Sequence, residues 1–265
     1  MAAALKSPVS MNAARSAARS YLDALRLAEL EDLLARNGDA FRDREVLEIG
    51  SGTGVQLAAL RRVCRRAVGV DLATSEYAVG RDARIIEYDG RTLPFPDDSF
   101  DTVYSSNVLE HVTDQPTMQR EIARVLRPDG VCLHLLPSQH WRLWTSLAHY
   151  PALPKLTWRR LVPRNGGALA SGSGGALGLL GKVLASPPHG ETGNRFTEYL
   201  YFRPAHWRRV FQAAGWQVVA IEPGGLFYTG QSLLGSRLSL ATRRRLAGWL
   251  GSACHLYVLD RASTP

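Results

Sequence analysis

The chain has 265 residues, of which 45% are hydrophobic and 21% charged, so it suits a soluble globular protein whose core needs no disulfide staples. Lys and Arg number 32 against 24 Asp and Glu, and the net charge of +8 favours an anionic partner or simply reflects an arginine-rich proteome. The three cysteines, Cys64, Cys132 and Cys254, include no CxxC pair. That excludes a zinc knuckle or a disulfide framework, and no metal centre is expected. No apolar run is long enough to span a bilayer.

The first twenty residues carry Lys6, Arg15 and Arg19 without an acid and lack the apolar core of a secretory signal. Apolar residues at spacings of three to five predict a helix over 14–35, ended by Asn37-Gly38, so residues 1–43 read as a helical N-terminal extension. Strands are then expected over 45–49, 67–72, 84–88, 100–105 and 131–136. Helices are expected over 54–66 and 115–126, the second ended by Pro128-Asp129-Gly130. After Pro137 the rhythm breaks, and residues 138–203 read as an insertion. It resumes with a helix over 204–214, a strand over 216–221, a helix over 239–250 and a strand over 255–259. Strand alternating with helix calls for a parallel sheet covered by helices on both faces, in one domain spanning 44–265.

Glu48-Ile49-Gly50-Ser51-Gly52-Thr53-Gly54 lies where the first strand turns into the first helix of that domain. Alternate glycines let the backbone turn tightly and approach a ligand, and the next helix offers free amides. Asp71 closes the second strand, about where such folds place a carboxylate on a ribose. A dinucleotide loop reads G-x-G-x-x-G, whereas this one reads G-x-G-x-G, which argues against a nicotinamide dehydrogenase.

The segment Val46–Gly54 resembles the first motif of the class I S-adenosylmethionine-dependent methyltransferases. Val70-Asp71 is similar to their ribose motif and Tyr88-Asp89-Gly90 to their adenine motif. Residues 93–101, Ser106-Asn107-Val108-Leu109-Glu110-His111-Val112 and 121–130 resemble the segments around strands four and five. The subgroup resembled acts on small molecules, lipid precursors and sugars. It implies a Rossmann-like, seven-stranded, mostly parallel sheet with strand seven antiparallel, carrying a lid-like insertion between strands five and six. By this resemblance S-adenosylmethionine is the cofactor. Gly50, Ser51, Gly52, Thr53 and Gly54 then pack on its methionine part with help from Glu48. Asp71 takes the ribose, Leu72 flanks the adenine, Asp89 and Gly90 read its amino edge, and Asn107 and Val108 form the floor.

A hydroxyl acceptor requires a base. His140, just past strand five, is the first candidate, with His111 and His189 beside it. His111 alternatively orients its loop, and His206 and His255 read as structural. The intact glycine loop and acids argue against a binding-only module.

Trp141–Tyr150, with Trp158-Arg159-Arg160, mixes rings and cations. Such a face suits anionic headgroups or sugar rings, or else it is the core of a helical cap. The glycine-rich tract 166–184 reads as a lid or a linker. Residues 141–150, 189–194 and 251–259 also resemble methyltransferases of surface-polysaccharide and glycolipid clusters. That implies a sugar or lipid-linked saccharide as substrate, with a free metabolite as the alternative. It also implies a cytoplasmic protein with peripheral contact to an anionic inner-membrane face. No aromatic single-strand platform or Asn-Pro-Pro-Tyr motif is present, which disfavours nucleic acid.

Overall fold

The computed structural model of the protein describes residues 8–75, 77–78, 80–149, 189, 197–229 and 235–261. Seven strands form one sheet: β1 (Glu45–Ile49), β2 (Arg66–Leu72), β3 (Ile86–Tyr88), β4 (Phe100–Ser106), β5 (Leu126–Pro137), β6 (Trp216–Pro223) and β7 (Cys254–Arg261). Their order is β3-β2-β1-β4-β5-β7-β6. β1 to β5 pair in parallel, while β7 runs antiparallel to both β5 and β6, as expected.

The strands alternate between two cores, because successive side chains leave a strand on opposite faces. Val46, Tyr104, Leu133 and Leu256 join one buried cluster with α1 (Pro8–Arg36) and α2 (Val55–Leu60). Leu47, Val103, Cys132 and Tyr257 join the other, against α3 (Gln115–Val125) and α6 (Pro204–Ala213). The helix read as an N-terminal extension thus supplies Leu25, Ala28, Leu30 and Leu33 to the first core. Each of these leucines contributes about 1.5–3 kcal/mol on burial.

Caps mark the helix starts. The Asp114 side chain accepts from the Thr117 amide (3.2 Å) ahead of α3, and Ser239 does the same for Thr242 (3.2 Å) ahead of α7 (Leu240–Leu250). Three elements differ from the sequence expectation. α2 stops at Leu60, not Arg66, because the chain must return for Arg66 to enter β2 opposite Glu45. β3 begins at Ile86, since the Arg84 amide and guanidinium both bond the Asp82 carboxylate. β5 begins at Leu126: Leu126 pairs with Phe100 and Val131 with Thr102, so Pro128-Asp129-Gly130 forms an irregularity inside the strand.

From the expected insertion, residues 139–149 form a helix, α4, and Glu198–Tyr201 form α5. Trp141, Arg142, Thr145 and His149 are buried, and the Trp144 indole donates to the Leu250 carbonyl (2.9 Å). Trp141 and Arg142 of the segment are therefore cap core, while Leu143 and Leu147 on the same helix are exposed. Trp158-Arg159-Arg160 and the tract 166–184 lie outside the described residues. No described helix is long and apolar enough to cross a membrane.

Candidate active site

The glycine loop sits where β1 ends, and its three glycines have positive φ: +73° at Gly50, +55° at Gly52 and +89° at Gly54. Left-handed backbone is costly for residues with a Cβ. The amides of Gly50 and Ser51 both bond the Val70 carbonyl (2.9 and 3.0 Å), which fastens the loop to β2. A Cβ at Gly50 would lie 2.3 Å from Val108 Cγ2, so the absence of a side chain there lets Val108 seat against the loop. Gly69 does likewise for Ser51, whose Oγ lies 2.2 Å from where a Cβ would stand. The Thr53 carbonyl accepts from the Asp82 amide (3.3 Å).

Asp71, at the end of β2, is buried, and its carboxylate is gripped from two sides. Oδ2 accepts from the Gly52 amide (2.7 Å) and Oδ1 from the Leu72 amide (2.7 Å). Each oxygen keeps a further acceptor site for a hydroxyl. Leu72 is 38% exposed, and its Cδ2 lies 2.9 Å from where a Gly90 Cβ would stand, so the leucine covers that glycine. Asp89 Oδ1 accepts from the amides of Arg91 and Thr92 (2.8 Å each). Those bonds, the Thr92 one first, hold its carboxyl below the usual range. Tyr88, between Asp71 and Asp89, is pushed up to about 12 by burial and by both carboxylates.

Asn107 follows β4 in left-handed backbone (φ +54°), with its amide on the Leu135 carbonyl (2.8 Å). Val108 therefore turns toward the loop. The cofactor-binding residues expected from sequence thus gather at the carboxyl ends of β1 to β4, the edge where open α/β sheets take ligands.

One group at this edge tests whether S-adenosylmethionine fits. Glu48 is 2% exposed, and its Oε2 has no hydrogen-bond partner. Burial, with Asp71 adding repulsion, pushes its carboxyl up to about 7. An orphaned buried carboxylate beside a glycine loop fits a cationic ligand group such as an ammonium or a sulfonium. The residues present fit the cofactor.

The three candidate bases divide. The rings of His111 and His189 lie 5.1 Å apart, and His189 also packs on Trp141 (4.6 Å). Burial, with His111 and Arg26 nearby, lowers His189 to about 4, so it is a neutral imidazole near pH 7. His140 is not brought to this pair. Neighbours on a helix point about 100° apart, so while Trp141 faces His189, the His140 ring packs on Gly251 and sits 6.1 Å from the ring of His255. The His206 ring meets Tyr201 and Trp207 edge-on. His134 pairs with Ser105 (2.8 Å) inside the sheet.

Sequence reasoning passed over several residues here. Tyr77 lies beside Gly52. From α1, Arg26 bonds Glu29 (3.1 Å) and Tyr228 (2.9 Å), and Tyr228 reaches Cys254 (3.2 Å), whose thiol contacts Asn107 (3.6 Å). Arg26 and Glu29 stand three apart on one helix face, a pattern easily read as a surface pair. A larger surface hollow, of about 420 Å³, is lined by Asp97, Arg124, Trp216 and Arg261. It lies at the opposite edge of the sheet, away from the glycine loop, and we assign it no role.

Strand order, the glycine loop and the acids after β2 and β3 define a Rossmann-like α/β protein built to hold a nucleoside. Residues 47–134 match the methyltransferase domain family. An uncharacterized methyltransferase of Mycobacterium sp. (strain JLS) is 39% identical over 94 residues, 34% of this chain and 37% of its own length. A demethylmenaquinone methyltransferase of Mycolicibacterium paratuberculosis (strain ATCC BAA-968 / K-10) is 31% identical over 149 residues, 54% of this chain and 61% of its own. A malonyl-[acyl-carrier protein] O-methyltransferase of Halorhodospira halophila (strain DSM 244 / SL1) is 39% identical over 99 residues, 34% of each chain. The chain thus spans about a third to three fifths of these relatives' lengths. Among solved structures, the YcgJ protein of Bacillus subtilis has a TM-score of 0.50 at 16% identity, over 89% of this chain and 99% of that one. A SAM-dependent methyltransferase of Thermotoga maritima has a TM-score of 0.51 at 16% identity, over 89% and 88%. At that identity the likeness concerns the fold. The methyltransferase domain match covers residues 47–134, and S-adenosylmethionine-dependent methyltransferases are among the relatives of this stretch.

Proposed function

We propose that the protein transfers a methyl group from S-adenosylmethionine to a hydroxyl of a small molecule, and that this acceptor is a sugar or lipid-linked saccharide. The observation that carries the methyl-transfer reading is the Asp71 carboxylate. The amides of Gly52 and Leu72 hold it at the mouth of the glycine loop, next to the orphaned Glu48. The bound cofactor supplies a methyl group on a cationic sulfur, already activated for displacement. Glu48 and the 50–54 loop hold its methionine end. Asp71 accepts from the ribose hydroxyls. Leu72 and Gly90 flank the adenine, and Asp89 takes its amino group. Val108, seated against Gly50, and Asn107 form the floor.

The chain's remaining task is to align the acceptor oxygen, exclude water and receive a proton. His111 and His189 suit the last role, because their rings are 5.1 Å apart and His111 closes a turn on Val108, its amide on the Val108 carbonyl (2.9 Å). The saccharide reading is supported by the resemblance of residues 141–150 and 189–194 to polysaccharide and glycolipid enzymes. Trp249, 90% exposed with Arg245 one turn before it on α7, supports peripheral contact with an anionic inner-membrane face. A second reading, a free metabolite or carrier-bound acid, is favoured by the relatives that act on demethylmenaquinone and malonyl-[acyl-carrier protein].

The test is a transfer assay with methyl-labelled cofactor over glycans, glycolipids, phenols and carboxylates. Label in a glycan or glycolipid is the expected result. Label confined to a phenol or carboxylate transfers the assignment to the second reading.

A further inference from the structure

Glu110, His111 and His189 bring one ligand-capable atom each to a common point, all within 4.8 Å of one another. Two come from the turn after β4, and the third returns from the far end of the segment that follows α4. Glu110 is 5% exposed, and neither of its carboxylate oxygens has a hydrogen-bond partner. A carboxylate taken out of water with both oxygens unmatched costs several kcal/mol unless something cationic meets it. Arg26 acts on it only through space, since the guanidinium is hydrogen-bonded to Glu29 and Tyr228.

The geometry points to a divalent metal site, and we propose that Glu110, His111 and His189 bind one first-row transition ion. Two imidazoles and one carboxylate select such ions over Mg²⁺ or Ca²⁺, which prefer oxygen alone. Ligands about 2.1 Å from a shared ion stand up to about 4.2 Å apart. Glu110 Oε1 and His111 Nε2 are 3.9 Å apart. Tetrahedral placement sets neighbouring ligands about 3.4 Å apart, so the widest separation in the group closes with a shift of about 0.7 Å per side chain. The third ligand is held from outside the site, as ligands usually are: the His189 amide donates to Glu198 Oε1 (2.5 Å), and its ring lies tilted against Trp141 (4.6 Å). Three protein ligands leave coordination positions open to water or to an acceptor oxygen; with the ion bound the two imidazoles are ligands, and a metal-held hydroxide takes the acceptor's proton in their place. Residue order does not bring these ligands together, because 78 positions separate His111 from His189.

The full chain, stripped with chelator, is titrated with Co²⁺ and its visible absorption followed, then challenged with Zn²⁺. One equivalent of Co²⁺ with a saturable band, displaced by Zn²⁺, is expected. His189→Ala and Glu110→Gln each weaken Co²⁺ binding tenfold or more, while His140→Ala leaves it unchanged. The absence of a saturable band, or a band of full affinity in His189→Ala, overturns the site. The second criterion stands even if Glu110→Gln does not fold. Calorimetry with S-adenosylhomocysteine on the same stripped protein reads the nucleoside pocket separately, so loss of either site is told from loss of the other.

Discussion

The amide of Gly52 donates to Oδ2 of Asp71 across 2.7 Å, tying the turn after β1 to the last buried residue of β2. One bond thus sets both the curvature of the loop and the orientation of the acid. With Leu72 holding Oδ1, the carboxylate is fixed before any ligand arrives.

Asp71→Ala therefore removes a pre-oriented acceptor pair. Affinity for S-adenosylhomocysteine, by calorimetry, should fall tenfold or more, on the order of 1.4 kcal/mol. Unchanged affinity removes Asp71 from the ribose role.

Gly50→Ala meets two penalties, a positive φ and a Cβ 2.3 Å from Val108 Cγ2. Together they should cost about 2–4 kcal/mol in urea unfolding. Adding Val108→Ala should recover only the steric share, since the backbone strain remains. Full recovery would mean that φ at this position does not matter.

Glu48 sets a pH dependence. Its folded carboxyl is raised to about 7 from an ordinary 4.5, so the folded chain holds that proton more tightly than the unfolded one. The resulting stability is fully present below the unfolded value and is lost as pH rises through the folded one. Ligand-free protein should thus lose at most roughly 3 kcal/mol from this group between those pH values. Glu48→Gln should remove that share of the slope of Tm against pH, in a window where Glu110, raised to about 8, adds to the loss and His189 and His255, lowered to about 4, oppose it. Asp82, Asp89 and Asp101 are shifted downward and act at lower pH, outside this window.

Arg142 and Glu198 form a buried ion pair at 3.0 Å, with side chains 2% and 0% exposed. It clamps α4 to α5, and Glu198 also holds the backbone of His189. Glu198→Leu strands a buried guanidinium and should cost about 3–5 kcal/mol. The double variant Arg142→Met, Glu198→Leu should regain most of that in thermal melts. A double variant no more stable than the single one contradicts the account.

His111→Ala and His189→Ala should each lower turnover a hundredfold or more at saturating cofactor, the range of a positioned base. His140→Ala, on the Gly251 side of α4, should change it less than threefold. The reverse order would return the role to His140.

Much of this was legible from residue order. Glycines at 50, 52 and 54, an acid closing β2 and another after β3 are local signals, and β pairing brought them to one edge. The extents of α2 and β3 were not legible, because the return into β2 and the grip of Arg84 on Asp82 overrode helical and strand periodicity. The aromatic segment after β5 read equally as surface or core, since composition alone does not say which neighbour covers Trp141.

The sequence by itself determined the α/β order, the glycine loop and the methyltransferase resemblance, because these depend on short-range spacing and on a strand period of two. Only the tertiary structure decided which histidines meet, that Glu110 is buried without a partner, and that α1 carries Arg26 to the site. Those facts depend on where distant segments return. Return paths are set by the packing of whole helices against the sheet, and no local pattern encodes them.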